Sequence, residues 1–126
     1  MASADDPHLP RAAAIDAYGN GGFRFADMSH RGSLLCLPDS MRAWEVSDPR
    51  QIDEYSLKRV FTEAARIDTL LIGTGTVVWI APQHLRELCR ANGISLDTMM
   101  TGPAIRTYNV MVAERRRVAA ALIAVP

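Results

Sequence analysis

Leu70-Leu71-Ile72-Gly73-Thr74-Gly75 sits in the middle of the chain: an apolar run that stops at two glycines just before a second apolar run, Val77-Val78-Trp79-Ile80. It reads as a buried strand, Thr69 to Ile72, entering a tight turn. Glycine at 73 and 75 permits positive φ and lets another backbone or a ligand approach closely. The turn therefore either packs tightly or holds something, and the residue types alone leave both readings open.

Downstream, Val77 to Ile80 is β-branched, aromatic and short, so a further strand is expected there. Ala81-Pro82 opens a helix with Leu85, Leu88 and Cys89 on one face, and Asn92-Gly93 stops it. Ile94 to Thr98 alternates as a strand. Thr101-Gly102-Pro103 places a capping hydroxyl before a third helix that buries Ile105, Tyr108, Met111 and Val112 and ends at Glu114 to Arg116. Val118 to Val125 is nearly all apolar, as expected of a strand covered on both faces.

Upstream, the spacing of Leu57, Val60, Phe61 and Ala64 predicts a helix between Asp53 and Ala65, with Asp48-Pro49 as a competing start. Before it lie shorter pieces. Ala13 to Tyr18, the turn Gly19-Asn20-Gly21-Gly22 and Phe23-Arg24-Phe25 form a hairpin signal. Arg31 to Leu37 and Met41 to Val46 flank a turn at Pro38-Asp39. Hairpins first and strand-helix alternation afterwards predict a three-layer α/β fold. Its central mixed β-sheet carries helices on one side and a smaller N-terminal β layer. The first twelve residues, with Asp5, Asp6, Pro7 and Pro10, read as a disordered tail, and 13–126 as a single domain.

The totals narrow the function classes. Lys plus Arg equals Asp plus Glu at 14 each, so no net field draws the chain to nucleic acid or anionic lipid. Arg115-Arg116-Arg117 is the only basic run, and it falls where a helix C-terminus favours cations. Cys36 and Cys89 are isolated and flanked by leucines, which reads as two reduced buried thiols. No apolar stretch approaches the roughly 20 residues of a membrane span, and no export or organelle signal is visible, so a cytoplasmic protein is expected.

No catalytic template fits the residues. A dinucleotide fingerprint needs a third glycine where Val78 stands, and a P-loop needs Gly-Lys-Ser/Thr where the chain continues from Thr74 to Val78. His8, His30 and His84 lack metal-ligand spacing. Ser29-His30 lie near a strand start, where neighbouring residues point to opposite faces, so they make no nucleophile-base pair. No catalytic residue, metal or cofactor is implied. The best ligand set joins the turn Gly73, Thr74 and Gly75 to the start of the third helix. There Thr101, the free amides and Arg106 suit a small anion or small molecule, and Asn109 lies one turn further on.

Three segments taken together carry a resemblance. They are Phe25 with His30-Arg31-Gly32-Ser33-Leu34-Leu35 through Pro38 and Trp44; Asp68 to Gly75; and Met99 to Val118 with Thr107-Tyr108-Asn109, Glu114 and Arg117. They resemble the small family of uncharacterised α/β proteins typed by a methanogen hypothetical protein. That family also contains a mitochondrial respiratory complex I assembly factor and an adipogenesis-associated animal protein. The resemblance implies the fold read above, no established catalytic residue, and work through protein contacts, with complex I subunits or a second assembly factor as partners. A homodimer is the remaining reading; Trp44 and Trp79 suit either the core, where strand aromatics more often lie, or its interface.

Overall fold

The computed structural model describes residues 9–126. The first eight residues of the expected tail lie outside the described residues; Leu9 already pairs with Met41 through both backbone groups.

Two sheets carry the fold, one of three strands and one of five. β1 (Ala17–Gly19), β2 (Gly22–Phe25) and β3 (Met28–Arg31) form an antiparallel meander, the smaller N-terminal layer. Both of its turns have two central residues at positive φ, Asn20-Gly21 and then Ala26-Asp27. That is the conformation whose twist matches a two-residue hairpin. The second turn contains no glycine, and for that reason β3 is absent from the sequence reading. The next strand is expected from Arg31, whereas β4 (Ser33–Leu37) begins after Gly32, which takes φ +90°.

The central sheet has the order β5-β4-β8-β6-β7, with β5 at Ser40–Trp44, β6 at Thr69–Gly73, β7 at Ser95–Met99 and β8 at Val118–Leu122. β4 is antiparallel to β5 and β8, while β6 is parallel to β7 and β8, so the sheet is mixed as expected. β8 lies at its centre and is buried throughout, with alanines at 119, 120 and 121 that let layers approach from both faces.

The helices divide between the two faces. α1 (Lys58–Thr62) and α2 (Gln83–Ala91) cover one, where Val60, Leu85 and Cys89 pack with Leu70, Ile72 and Ala121. α3 (Thr101–Ala113) shares the other with the small sheet, Ile105, Tyr108 and Met111 meeting Phe23, Phe25, Leu71 and Ala120. The reason is topological. The chain steps from β6 outward to β7 through α2, then back past β6 to β8 through α3. Right-handed crossovers taken in opposite directions place their helices on opposite faces.

Three local expectations change. The helix expected at 53–65 is only α1, entered through a turn and followed by a 3-10 turn at Ala64–Arg66. Asp48 does start a turn, capping the 3-10 segment Pro49–Gln51 in a reciprocal box with Gln51. Val77 to Ile80 is not a strand: β7 and β8 take both sides of β6, and the segment runs as a loop that pairs with no strand.

Candidate functional site

The reversal of chain direction creates the site. Where adjacent parallel strands send their connections to opposite faces, a crevice opens beyond their C-terminal ends. Here those ends are Gly73 of β6 and Met99 of β7. Beyond them lies a cleft of about 530 Å³, walled by Thr74, Val78, Ile80, Arg86, Thr98 and Met100.

The turn after β6 is held from several directions. Thr74 N–H donates to Met99 O at 2.8 Å, and Thr101 N–H donates to Gly75 O at 3.1 Å. Gly75 N–H donates to Thr101 Oγ1 at 2.9 Å, and that hydroxyl donates to Ile123 O at 2.7 Å. Thr101 is fully buried. Its side chain thus ties the ends of β6 and β8 to the start of α3. The expected capping role does not occur: Met100 is the N-cap residue, and no side chain caps the helix. The hydroxyl is turned into the core because the helix starts one residue earlier than the sequence signal suggests.

The six residues proposed as a ligand set have different surroundings. Gly75 and Thr101 form the clasp just described, Gly73 O accepts from Ile123 N–H at 2.9 Å, and Thr74 borders the cleft while donating its hydroxyl to Val77 O at 2.6 Å. Gly73 has no room for a side chain, since a methyl there would lie 2.9 Å from Leu122 Cδ2 and 3.0 Å from Thr101 Cα. Asn109 points elsewhere, with both ends of its amide on the backbone of Ile15. Arg106 is exposed, beside the start of α3. The approach to Gly102 is taken by Tyr18, whose Oη would fall 2.5 Å from a methyl at that position.

What the cleft offers instead is apolar surface. Val78 is 82% exposed, Ile80 79% and Met100 42%. Among the cleft residues only Arg86 and Asp97 are charged. The sequence pattern places Val78 and Ile80 on a strand, because a β-branched run looks alike in a sheet and on a loop. Trp79 between them is half-buried against the α1 and α2 side of the core. Trp44 is buried outright, its indole N–H donating to Ser56 O at 2.8 Å.

Other groups are structural. Cys36 and Cys89 are free and buried, and burial pushes the Cys36 thiol up to about 12. His30 is buried with Nε2 2.9 Å from Ser33 O. Among the described residues no group of three His, Cys, Asp or Glu is placed to hold a metal ion, and no helix is long and apolar enough to cross a membrane.

Comparison with known proteins gives a consistent picture. A family model described as "Protein of unknown function (DUF498/DUF598)" matches residues 15–123. A solution structure of a protein from Rhodopseudomonas palustris is 66% identical, with TM-score 0.86, covering all of this chain and 94% of that one. A crystal structure from Bartonella henselae, described as of an outer membrane protein, is 50% identical with TM-score 0.90, over 94% of this chain and 100% of that one. The NADH dehydrogenase [ubiquinone] 1 alpha subcomplex assembly factor 3 of Xenopus tropicalis is 30% identical over 86% of this chain. The match spans 60% of that relative's length.

Proposed function

Because the chain belongs to the DUF498/DUF598 family, whose members include proteins named as assembly factors, we propose that it is a non-catalytic interaction protein serving the assembly of a respiratory NADH dehydrogenase. The observation that carries this reading is the exposed apolar rim of the cleft, Val78, Ile80 and Met100. Exposed apolar side chains gathered at a concave site, with Thr74, Arg86 and Asp97 in the same lining, are suited to a protein partner. The partners are subunits of the dehydrogenase or a second assembly factor, met in the cytoplasm at the inner face of the membrane.

The experiment is affinity capture from the native cell, comparing wild type with a Val78→Asp, Ile80→Asp variant. Both side chains are exposed, so the variant is expected to fold. Wild type is expected to bring down dehydrogenase subunits or a second assembly protein, and the variant to lose about tenfold or more of that recovery. Equal recovery by both chains would refute the rim as the contact.

A second reading is favoured by the position of the cleft at a topological switch point, where α/β sheets commonly receive ligands. A small molecule or anion bound there would meet Arg86 and Thr74, and thermal-shift screening of metabolites against wild type and Arg86→Ala tests it.

A further inference from the structure

The outer edge of β7 carries no strand. Ser95 N–H donates to Asp68 O at 2.9 Å, and Met99 O accepts from Thr74 N–H at 2.8 Å. These bonds turn Ser95, Asp97 and Met99 toward β6, the parallel neighbour. Alternate residues of a parallel strand bond to opposite sides, so the N–H and C=O of Leu96 and Thr98 face outward. The sheet ends at β7, and among the described residues no backbone bond reaches those groups. The opposite edge differs, since Leu9 bridges to β5 at Met41.

The surroundings of this edge say what would suit it. The cleft adjoins it: Val78, Ile80, Met100 and Pro103 line the same cleft as Leu96 and Thr98. The only charge on the strand is Asp97, exposed at its middle. Pairing with a second copy about a two-fold axis at Asp97 would use all the outward groups, but it would set two carboxylates directly opposite one another. The same carboxylate favours a cationic residue across from it. We infer that β7 receives, as an added strand, an extended segment of a partner protein. That segment carries apolar residues for Val78, Ile80 and Met100 and a lysine or arginine facing Asp97. The inference rests on the interaction reading above and specifies how the partner is held.

The full chain is tested with three substitutions in the capture experiment. Thr98→Pro removes an outward N–H and no bond to β6; Thr98→Val keeps that N–H; Asp97→Lys reverses the charge on an exposed side chain. Wild type and Thr98→Val are expected to retain the partner, cross-linked through an extended segment with a basic residue near position 97. Thr98→Pro and Asp97→Lys are expected to lose about tenfold or more of it. Should Thr98→Pro fail to fold, Asp97→Lys decides, together with amide exchange at Leu96 and Thr98. That exchange is expected to slow on addition of a short valine-threonine peptide with a central lysine, and to stay unchanged with its N-methylated analogue. Partner retained by Asp97→Lys and Thr98→Pro alike overturns strand addition and leaves the interaction reading standing. No partner for wild type overturns both. Slow exchange at Leu96 and Thr98 in the free chain, with a doubled mass, gives the edge to a second copy and also overturns the inference.

Discussion

Asn109 holds Ile15 by both of its backbone groups: Ile15 N–H donates to Asn109 Oδ1 at 2.8 Å, and Asn109 Nδ2 donates to Ile15 O at 2.8 Å. A helix side chain thus acts as a strand neighbour would, satisfying both backbone groups of a segment with no ladder of its own. One residue earlier on α3, Tyr108 donates its hydroxyl to Ala13 O at 3.0 Å. Together they anchor the segment leading into β1.

Asn109→Ala removes both bonds and leaves Ile15 N–H and C=O half-buried without protein partners. We expect a loss of about 1–3 kcal/mol in chemical denaturation. Hydrogen exchange at Ile15 should accelerate while that of β6 follows only the global loss.

Thr101→Val keeps the volume but removes the hydroxyl that serves Gly75 and Ile123. At a fully buried position this should destabilise by about 2 kcal/mol or more, whereas Thr101→Ser, which keeps the oxygen, should cost less. Equal midpoints for the two variants in urea would contradict the clasp.

Gly73→Ala would press a methyl against Leu122 and the backbone of Thr101. Thr101 cannot retreat without breaking its bonds, so overpacking of about 1–3 kcal/mol is expected from thermal or urea melts.

Arg115 ends α3 at φ +58°, where Arg115 N–H donates to Val112 O and Arg116 N–H to Met111 O. This is the paired closure that glycine normally completes. Arg115→Gly should therefore raise stability, by up to about 1 kcal/mol, measured as a higher urea midpoint at unchanged slope.

Alkaline pH should weaken the fold through Cys36. Its folded value, about 12, lies above the ordinary thiol value of 9.0. The contribution is therefore complete below pH 9 and is lost as pH rises toward 12. In that window the unfolded chain gives up the proton and the folded chain does not, costing about 1.4 kcal/mol per pH unit. Burial raises the Tyr108 phenol as well, in the same direction. Cys36→Ala should flatten the slope of stability against pH between 9 and 10.

Features carried by short-range chemistry were legible. Asn92-Gly93 ends α2 because glycine tolerates φ +73° at residue 93. The apolar run ending at Gly73 is a strand because a continuous apolar segment of that length stays dry only between two layers. Legibility failed where one residue type serves two environments. Val77 to Ile80 has the composition of a strand, yet β7 and β8 take both sides of β6 and the segment runs as a loop. Thr101 has the identity of a cap, and only the nearby end of β8 draws its hydroxyl inward.

By itself, then, the sequence determined the class of fold, the smaller β layer from the first hairpin, and the turn at Gly73 to Gly75. Each depends on periodicity or on the conformational freedom of a few residues. The tertiary structure alone decided which face each helix covers, that Asn109 serves Ile15 rather than the cleft, and that Val78, Ile80 and the outer edge of β7 form one exposed groove. Those outcomes depend on strand order, which brings together residues distant in the chain and leaves one edge unpaired, and no local pattern encodes that order.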